Sequence, residues 1–244
     1  MTSGRVHSLE SMGLVDGPGI RAVVFLQGCA LRCRYCHNPD AWAVENPAAE
    51  VYTPGRLVEK LLRFKPYFGE KGGVTFSGGE PLLQPEFLAE TLDLCRTAGI
   101  HTCLDTAGCG LGEYGPNLRS TDLILLDVKH YDPEGYRQVT GGSMVVFERF
   151  LEQAQAAGVP LWVRHVVVPG LTDGEAHLEG LERYLKTIRY IRRVELLPYH
   201  TLGVHKYAAL GIPYPLEGTP PVEGKILADW NRRLNKTCCE KEYV

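Results

Sequence analysis

Three cysteines and a histidine lie close together in the stretch QGCALRCRYCHN, residues 27–38. Cys29, Cys33 and Cys36 follow a Cys-x3-Cys-x2-Cys spacing, and His37 comes directly after the last of them. Thiolates and imidazoles bind zinc, attach haem or hold iron–sulfur clusters. The segment is therefore compatible with three kinds of metal site, and the rest of the sequence is needed to distinguish them.

Covalent haem is one alternative, because CRYCH (33–37) matches the C-x-x-C-H attachment signature. This interpretation predicts an exported protein, whereas MTSGRVHSLESMG at the N-terminus lacks the long apolar core of a signal peptide. It also leaves Cys29 without a role. Haem is therefore disfavoured.

Zinc bound by three cysteines and His37 is the second alternative. Structural zinc sites generally join two separated pairs of ligands, because the metal then holds distant segments together. Here all four candidates crowd one short loop, with Cys36 and His37 adjacent. Zinc stays open but ranks below an iron–sulfur cluster.

A [4Fe–4S] cluster fits the spacing better, since three thiolates on one short loop can bind three corners of a cubane. No fourth cysteine lies nearby, and the remaining five have no ligand-like spacing (Cys95, Cys103, Cys109, Cys238 and Cys239). One iron would keep an open position, where a small ligand can bind and be activated.

The overall composition is that of an ordinary globular protein. The chain has 244 residues, a net charge of −3 and a hydrophobic fraction of 44%. This charge gives no sign of a nucleic-acid or anionic-membrane surface, and no run of about 18 apolar residues predicts a membrane span. We therefore expect a cytoplasmic protein with no nucleic-acid or membrane partner, in a compartment that keeps thiols reduced.

Six apolar, β-branched runs predict the strands that must position these residues: 21–26, 73–76, 101–104, 123–126, 161–168 and 194–197. Between most of them, helical periodicity predicts helices at 54–64, 86–98, 146–157, 176–188 and 224–235. Such alternation is typical of a parallel sheet buried on both faces. About six β/α units are too few for a closed eightfold barrel, so we expect an α/β fold with a partial (β/α)6 TIM-type barrel. A doubly wound sheet is the alternative.

Polar and glycine-rich segments directly follow the predicted strands. Examples are SGGE (77–80), DTAG (105–108), DVK (127–129) and PYH (198–200). In parallel α/β folds, ligands bind at this carboxyl edge of the sheet. Turn formation alone does not readily explain charged residues at the strand ends. Charged residues that directly follow buried strands usually have ion-pair partners or a functional role.

Together these motifs resemble the radical S-adenosylmethionine (SAM) superfamily, and within it the activases that act on pyruvate formate-lyase. The motifs cover nearly the whole chain: DGPGIR (16–21), the cysteine loop with CHN (36–38), TFSGGEP (75–81), HTCLDTAG (101–108), LDVK (126–129), VVVPG (166–170) and LLPYH (196–200). The resemblance implies a partial (β/α)6 barrel and one domain over residues 1–244, whose segment 201–244 covers the barrel edge. It implies one [4Fe–4S] cluster and reductive cleavage of SAM to a radical that takes hydrogen from a backbone glycine of the partner.

The resemblance also implies roles for individual residues. Cys29, Cys33 and Cys36 would bind three irons. SAM would contact the set Tyr35, Cys36, His37, Gly78, Gly79, Glu80, Asp127, Val128, Lys129, Val168 and His200. Glu80 has the alternative role of structuring its turn. A monovalent cation (Na⁺ or K⁺) would lie at Asp105, Thr106 and Asp127, although Asp105 and Thr106 have the alternative of only capping a helix. The glycine loop of the protein substrate would contact Asp16 and Arg164.

The resemblance further implies pyruvate formate-lyase as protein substrate, flavodoxin or ferredoxin as electron donor, and a monomer. Segment 38–73 contains no cysteine, which favours an activase with a single cluster. Activation of a different glycyl radical enzyme remains the alternative, followed by a non-catalytic zinc or electron-transfer protein.

Overall fold

Residues 2–239 are described by the computed structural model. Residues 240–244, part of the segment predicted to cover the barrel edge, lie outside this range. None of the helices within the described range combines the length and apolarity that a membrane span requires.

One eight-stranded sheet organises the fold. Its strands are β1 (Gly4–Gly13), β2 (Arg21–Leu26), β3 (Glu50–Tyr52), β4 (Gly73–Gly78), β5 (His101–Thr106), β6 (Leu123–Asp127), β7 (Leu161–Val167) and β8 (Ile191–Pro198). The spatial order is β3-β1-β2-β4-β5-β6-β7-β8, and the six strands β2 and β4–β8 run parallel. The sheet does not close, because β3 and β8 form its two ends. The predicted partial (β/α)6 barrel is confirmed.

The helices lie mostly where periodicity predicted them. They are α1 (Pro54–Leu62), α2 (Pro85–Thr97), α3 (Gly115–Leu118), α4 (Pro133–Thr140), α5 (Met144–Ala156), α6 (Glu175–Leu185), α7 (Val204–Leu210) and α8 (Ala228–Cys238). Pattern reasoning missed α4, α7, β1 and β3. The two helices and β3 are short, and exposed polar residues interrupt the apolar pattern of β1.

The two faces of the sheet differ in chemistry. The outer face packs apolar side chains such as Val24, Phe76 and Val163 into the main core beneath the helices. The inner face carries charged side chains at the carboxyl halves of the strands, among them Asp105, Asp127, Arg164 and Glu195. The sequence predicted Asp105 and Asp127 at this edge, directly after apolar runs, whereas Arg164 and Glu195 lie within predicted apolar runs.

Helix α8 covers the open edge of β8 by hydrogen bonding. The backbone N–H of Val194 donates to Asn235 Oδ1 at 3.0 Å, and that of Leu196 donates to Asn231 Oδ1 at 2.8 Å. The Asn235 amide returns a bond to the Val194 carbonyl at 2.7 Å. Because strand edges with free N–H and C=O groups pair with other chains, these two asparagines satisfy and protect this edge.

Replacing Asn235 with alanine is expected to lower the free energy of unfolding by about 1–3 kcal/mol, because both backbone groups of Val194 lose their partner. Urea unfolding followed by circular dichroism measures the change. The matched control is Lys236→Ala on the exposed face of α8, which should stay within about 0.5 kcal/mol of the parent chain. Equal unfolding midpoints for the two variants would contradict this role of Asn235.

Candidate metal and cofactor site

A cavity of about 360 Å³ opens at the carboxyl edge of the parallel strands. Loops and strand ends from both halves of the sequence line it, as expected for ligand sites in parallel α/β folds. Thirteen of the sequence-predicted residues lie on its surface: Cys29, Cys33, Tyr35, Cys36, His37, Gly78, Gly79, Asp105, Thr106, Asp127, Lys129, Arg164 and His200.

The cysteine loop follows β2 and is fixed by backbone hydrogen bonds at both sides. Its Arg32 and Arg34 N–H groups donate to the carbonyls of Thr140 and Val139 at the end of α4, at 2.8 and 2.9 Å. A turn bond from Cys36 N–H to the Cys33 carbonyl measures 3.0 Å. These bonds fix the loop on which all three thiols face one cavity.

The thiols form a donor set suited to a metal cluster. Burial raises the pKa of Cys29 and of Cys33 to about 12, so the free thiols are protonated at neutral pH. Metal cations displace such protons, because only the thiolate is a ligand. Within residues 2–239, no group of three or more His, Cys, Asp or Glu side chains is arranged to hold a single metal ion. Three thiols that face one cavity but do not converge on a point suit the corners of a larger cluster.

The contacts of the His37 ring do not support a role as fourth metal ligand. Its ring stacks on that of His200, with centroids 3.9 Å apart, and its Nε2–H donates to the His200 carbonyl at 3.1 Å. Burial lowers the pKa of His37, so the ring is neutral at neutral pH. The stacked pair forms an aromatic surface on the cavity, next to the cysteine loop.

Gly78 and Gly79 bring β4 into backbone contact with the cysteine loop. A Cβ atom at Gly79 would lie 2.2 Å from the Gly28 carbonyl oxygen and 2.9 Å from that of Ala41. Gly78 has a φ of +115°, and a Cβ there would lie 2.3 Å from Leu26 N. The sequence suggested that these glycines admit a ligand, but close packing of the protein's own backbone already requires them.

Glu80 lies beneath the cavity and does not line it, since it is 1% exposed. Its carboxylate accepts from Thr106 Oγ1 at 2.5 Å and from the N–H groups of Ala107 and Leu82 at 3.0 and 3.2 Å. These bonds agree with the alternative in which Glu80 structures its turn. They also hold the end of β5 to the end of β4.

Two carboxylates and two cations lie close together on the inner face. Lys129 Nζ lies 2.8 Å from Asp127 Oδ2, and Arg164 approaches Asp105 at 3.9 Å. Burial raises the pKa of Asp105, and the Asp127 carboxylate raises it further, while Arg164 and a 2.7 Å bond from Ser77 oppose the shift. Burial disfavours the charge of Lys129, but the Asp127 carboxylate raises its pKa well above the ordinary value.

Besides Glu80, three predicted residues do not line this cavity. The side chains of Val128 and Val168 are fully buried in hydrophobic clusters and do not line the cavity. Asp16 lies in an adjoining cavity of about 490 Å³, which shares Arg164 and Leu197 with the first. Arg164 therefore connects the two cavities, and its guanidinium also donates to the Val15 carbonyl.

Sequence reasoning gave no individual site role to eight residues that line the main cavity, although several belong to the quoted motifs: Leu31, Asn38, Trp42, Ser77, Ala107, Val166, Leu197 and Pro198. Strand alternation could have found Ser77 and Val166, because each lies two residues from a predicted inward-facing position. Trp42 carried no comparable signal, since it reaches the cavity through the fold of a loop.

Comparison with known proteins agrees with this arrangement. The Radical SAM superfamily profile matches residues 23–181. The chain is 56% identical over 217 residues to the pyruvate formate-lyase-activating enzyme of Clostridium pasteurianum, covering 88% of this chain and 90% of that enzyme. It is 47% identical over 226 residues to the enzyme of the same name from Streptococcus mutans, at 90% and 86% coverage. The solved structure of Streptococcus suis SuiB bound to precursor peptide SuiA matches its fold with a TM-score of 0.64 and 17% identity, over 94% of this chain and 46% of SuiB.

A partial parallel barrel with three cysteines on the loop after its first parallel strand defines the class, and the chain belongs to the radical SAM superfamily. Sequence identity places it more narrowly. The chain belongs to the family of pyruvate formate-lyase-activating enzymes, which confirms the resemblance drawn from its motifs.

Replacing Gly79 with alanine is expected to push the Gly28 and Ala41 carbonyls outward and to disturb the cysteine loop. Overpacking of this kind costs about 1–3 kcal/mol of unfolding free energy. Iron and sulfide content per chain after anaerobic reconstitution should fall as well. The matched control is Gly55→Ala in α1, where an added Cβ meets nothing within 4 Å. Native iron content and stability in the Gly79 variant would contradict the contact.

Proposed function

We propose that this protein activates pyruvate formate-lyase by SAM-dependent formation of a glycyl radical. Cys29, Cys33 and Cys36 would hold a [4Fe–4S] cluster, which in its reduced state would supply the electron for cleavage of SAM to methionine and a 5′-deoxyadenosyl radical; that radical would take a hydrogen atom from a glycine of the partner. The observation that carries the proposal is that three thiols, two carboxylates and two cations all line one cavity.

The chain's own residues orient SAM between two surfaces. The cysteine loop and the stacked His37–His200 pair form one side, where the thiols would hold the cluster and the rings offer an aromatic surface to the base of SAM. Lys129 and Asp127 form the other side, where a charged amino-acid group finds opposite charges. We assign SAM contacts to Tyr35, Gly78 and Gly79 as well, and supporting positions to Glu80, Val128 and Val168.

A monovalent cation at Asp105, Thr106 and Asp127 belongs to the proposal. Two carboxylates on neighbouring strands repel each other, and a cation beside them offsets that repulsion together with Lys129 and Arg164. The raised pKa of Asp105 supports this assignment, because a bound cation would favour its charged form.

The substrate glycine reaches the site through the adjoining cavity with Asp16 and Arg164. Leu14 and Val15 on its rim are 71% and 77% exposed, which leaves apolar surface for a protein partner. Arg164 faces both cavities and can hold a segment of the partner against the bound SAM. Hydrogen transfer demands such positioning, since the reacting atoms must be within a few ångströms, ~3–3.5 Å.

The remaining assignments follow from the family. We propose one radical SAM domain over residues 1–244, a monomer in the cytoplasm, and flavodoxin or ferredoxin as electron donor. A glycyl radical enzyme other than pyruvate formate-lyase is the alternative substrate.

Cys33→Ala is expected to abolish cluster binding and SAM cleavage, because one corner of the cluster loses its ligand. Anaerobically reconstituted and reduced protein is incubated with SAM, and 5′-deoxyadenosine and methionine are quantified. The control is Cys95→Ala, which removes an equally buried thiol in α2 that lies outside the cavity. A cluster-loaded parent chain that leaves SAM intact would contradict the proposed chemistry.

Electron paramagnetic resonance after addition of pyruvate formate-lyase tests the protein substrate, since a glycyl radical signal is the expected product.

Asp16→Asn is expected to separate the two halves of the reaction. SAM cleavage should stay near the parent rate, whereas the yield of glycyl radical should fall by about tenfold or more through misplacement of the partner's glycine. The control Glu10→Gln changes an exposed carboxylate on β1 and should affect neither quantity. Equal losses of SAM cleavage and glycyl radical in the Asp16 variant would place that residue in the SAM site instead.

A further inference from the structure

Three histidines that the proposed reaction does not use meet on the outer side of the sheet, behind the main cavity. His165 on β7 is fully buried, and its ring is stacked 5.2 Å from that of His177 on α6. His130, in the loop after β6, packs edge-on against His177 at 4.9 Å. The group joins β6, β7 and α6 at the level of the carboxyl edge of the sheet.

The hydrogen bonds of this group determine where each proton lies. His165 Nδ1 lies 2.7 Å from the Val128 carbonyl oxygen, which can only accept, so Nδ1 carries the proton. His165 Nε2 is then an acceptor, and His177 Nε2 lies 3.1 Å from it. His177 must therefore donate through Nε2–H, and the chain of donation runs from His177 through His165 to Val128.

Burial supports this single arrangement of protons. It lowers the pKa of His165 to about 3 and that of His177 to about 4, and each ring is therefore neutral at neutral pH. Two neutral rings that face each other through Nε2 atoms share one proton there, and the Val128 carbonyl takes the other bond.

Val128 occupies a critical position for the cavity. The last pair in the ladder between β6 and β7 is Asp127 with Arg164, and the Val128 N–H donates to the Arg164 carbonyl at 2.9 Å. The Val128 carbonyl, one residue beyond the last ladder pair, accepts a hydrogen bond from the His165 side chain. Asp127 and Lys129, which flank Val128 in the chain, both line the cavity, and their side chains pair at 2.8 Å.

We propose that His165, oriented by His177, is a positioning residue that holds the Val128 carbonyl and thereby keeps Asp127 and Lys129 turned toward bound SAM. The imidazole thus donates one further hydrogen bond to the backbone that follows β6, just past the end of the β6–β7 ladder. This inference rests on the proposed function for its effect on SAM, but the arrangement of protons is independent of SAM.

The first test compares two substitutions at His165 in the cluster-loaded protein. His165→Leu removes the donor, and the dissociation constant of SAM should rise by about tenfold, the size expected for one hydrogen bond. His165→Asn keeps an N–H near the position of Nδ1 and should stay within about twofold of the parent chain. Equilibrium dialysis under anaerobic conditions measures SAM binding, and iron and sulfide analysis should show equal cluster content in all three proteins.

A second pair of variants acts at the half-buried His177, where loss of folding is less of a concern. His177→Gln keeps a donor near the position of Nε2, and His177→Leu removes it. We expect the leucine variant alone to weaken SAM binding, by less than His165→Leu does. Ring ¹⁵N chemical shifts of the parent protein should show His165 protonated on Nδ1, and His177→Leu should shift the Nε2 resonance, which loses its hydrogen-bond donor, while Nδ1 stays protonated.

Two results would overturn the inference and leave the proposed function standing: SAM binding by His165→Leu as tight as in the parent chain, or equal weakening by leucine and asparagine. If the loaded parent chain binds no SAM, the proposed function fails instead. The ring shifts then decide the positioning arrangement alone, because a His165 proton on Nε2, or shifts unchanged in His177→Leu, would refute it.

Discussion

Compensation of charge inside an open barrel is the constraint on which the site depends. Asp105 and Asp127 end buried strands, and an unpaired buried carboxylate is strongly disfavoured. The parallel register sets Asp127 beside Arg164, and chain continuity sets Lys129 two residues further on the same face. Each carboxylate therefore has a cation nearby: Lys129 for Asp127, and Arg164, from two strands away, for Asp105. A different strand order would separate Asp105 from Arg164.

A second constraint is the backbone contact between the end of β4 and the cysteine loop. Gly79 allows the two segments to approach until the Glu80 N–H donates to the Gly28 carbonyl at 2.8 Å. This contact places the thiols on one side of the cavity and the charged row on the other. Metal chemistry and recognition of a charged amino acid can then act on the same small molecule from two directions.

Local pattern was sufficient for most of the framework. The apolar runs identified all six parallel strands, because a strand segment buried on both faces has a nearly continuous apolar signature in a short window. The same reasoning missed β1, whose exposed positions interrupt that signature. It also missed His165 and His177 as a pair, since they come from different elements and neither has a local motif.

By itself, the sequence determined what short-range chemistry can encode: the spacing of three thiols on one loop, the glycines after β4, and the charges at the strand ends. Only the tertiary structure decided which of these share a surface. It put Asp16 in an adjoining cavity, Glu80 beneath the floor, and the Val128 carbonyl in contact with a histidine from β7. The physical reason is that distances between elements come from sheet register and packing, which no window of neighbouring residues contains.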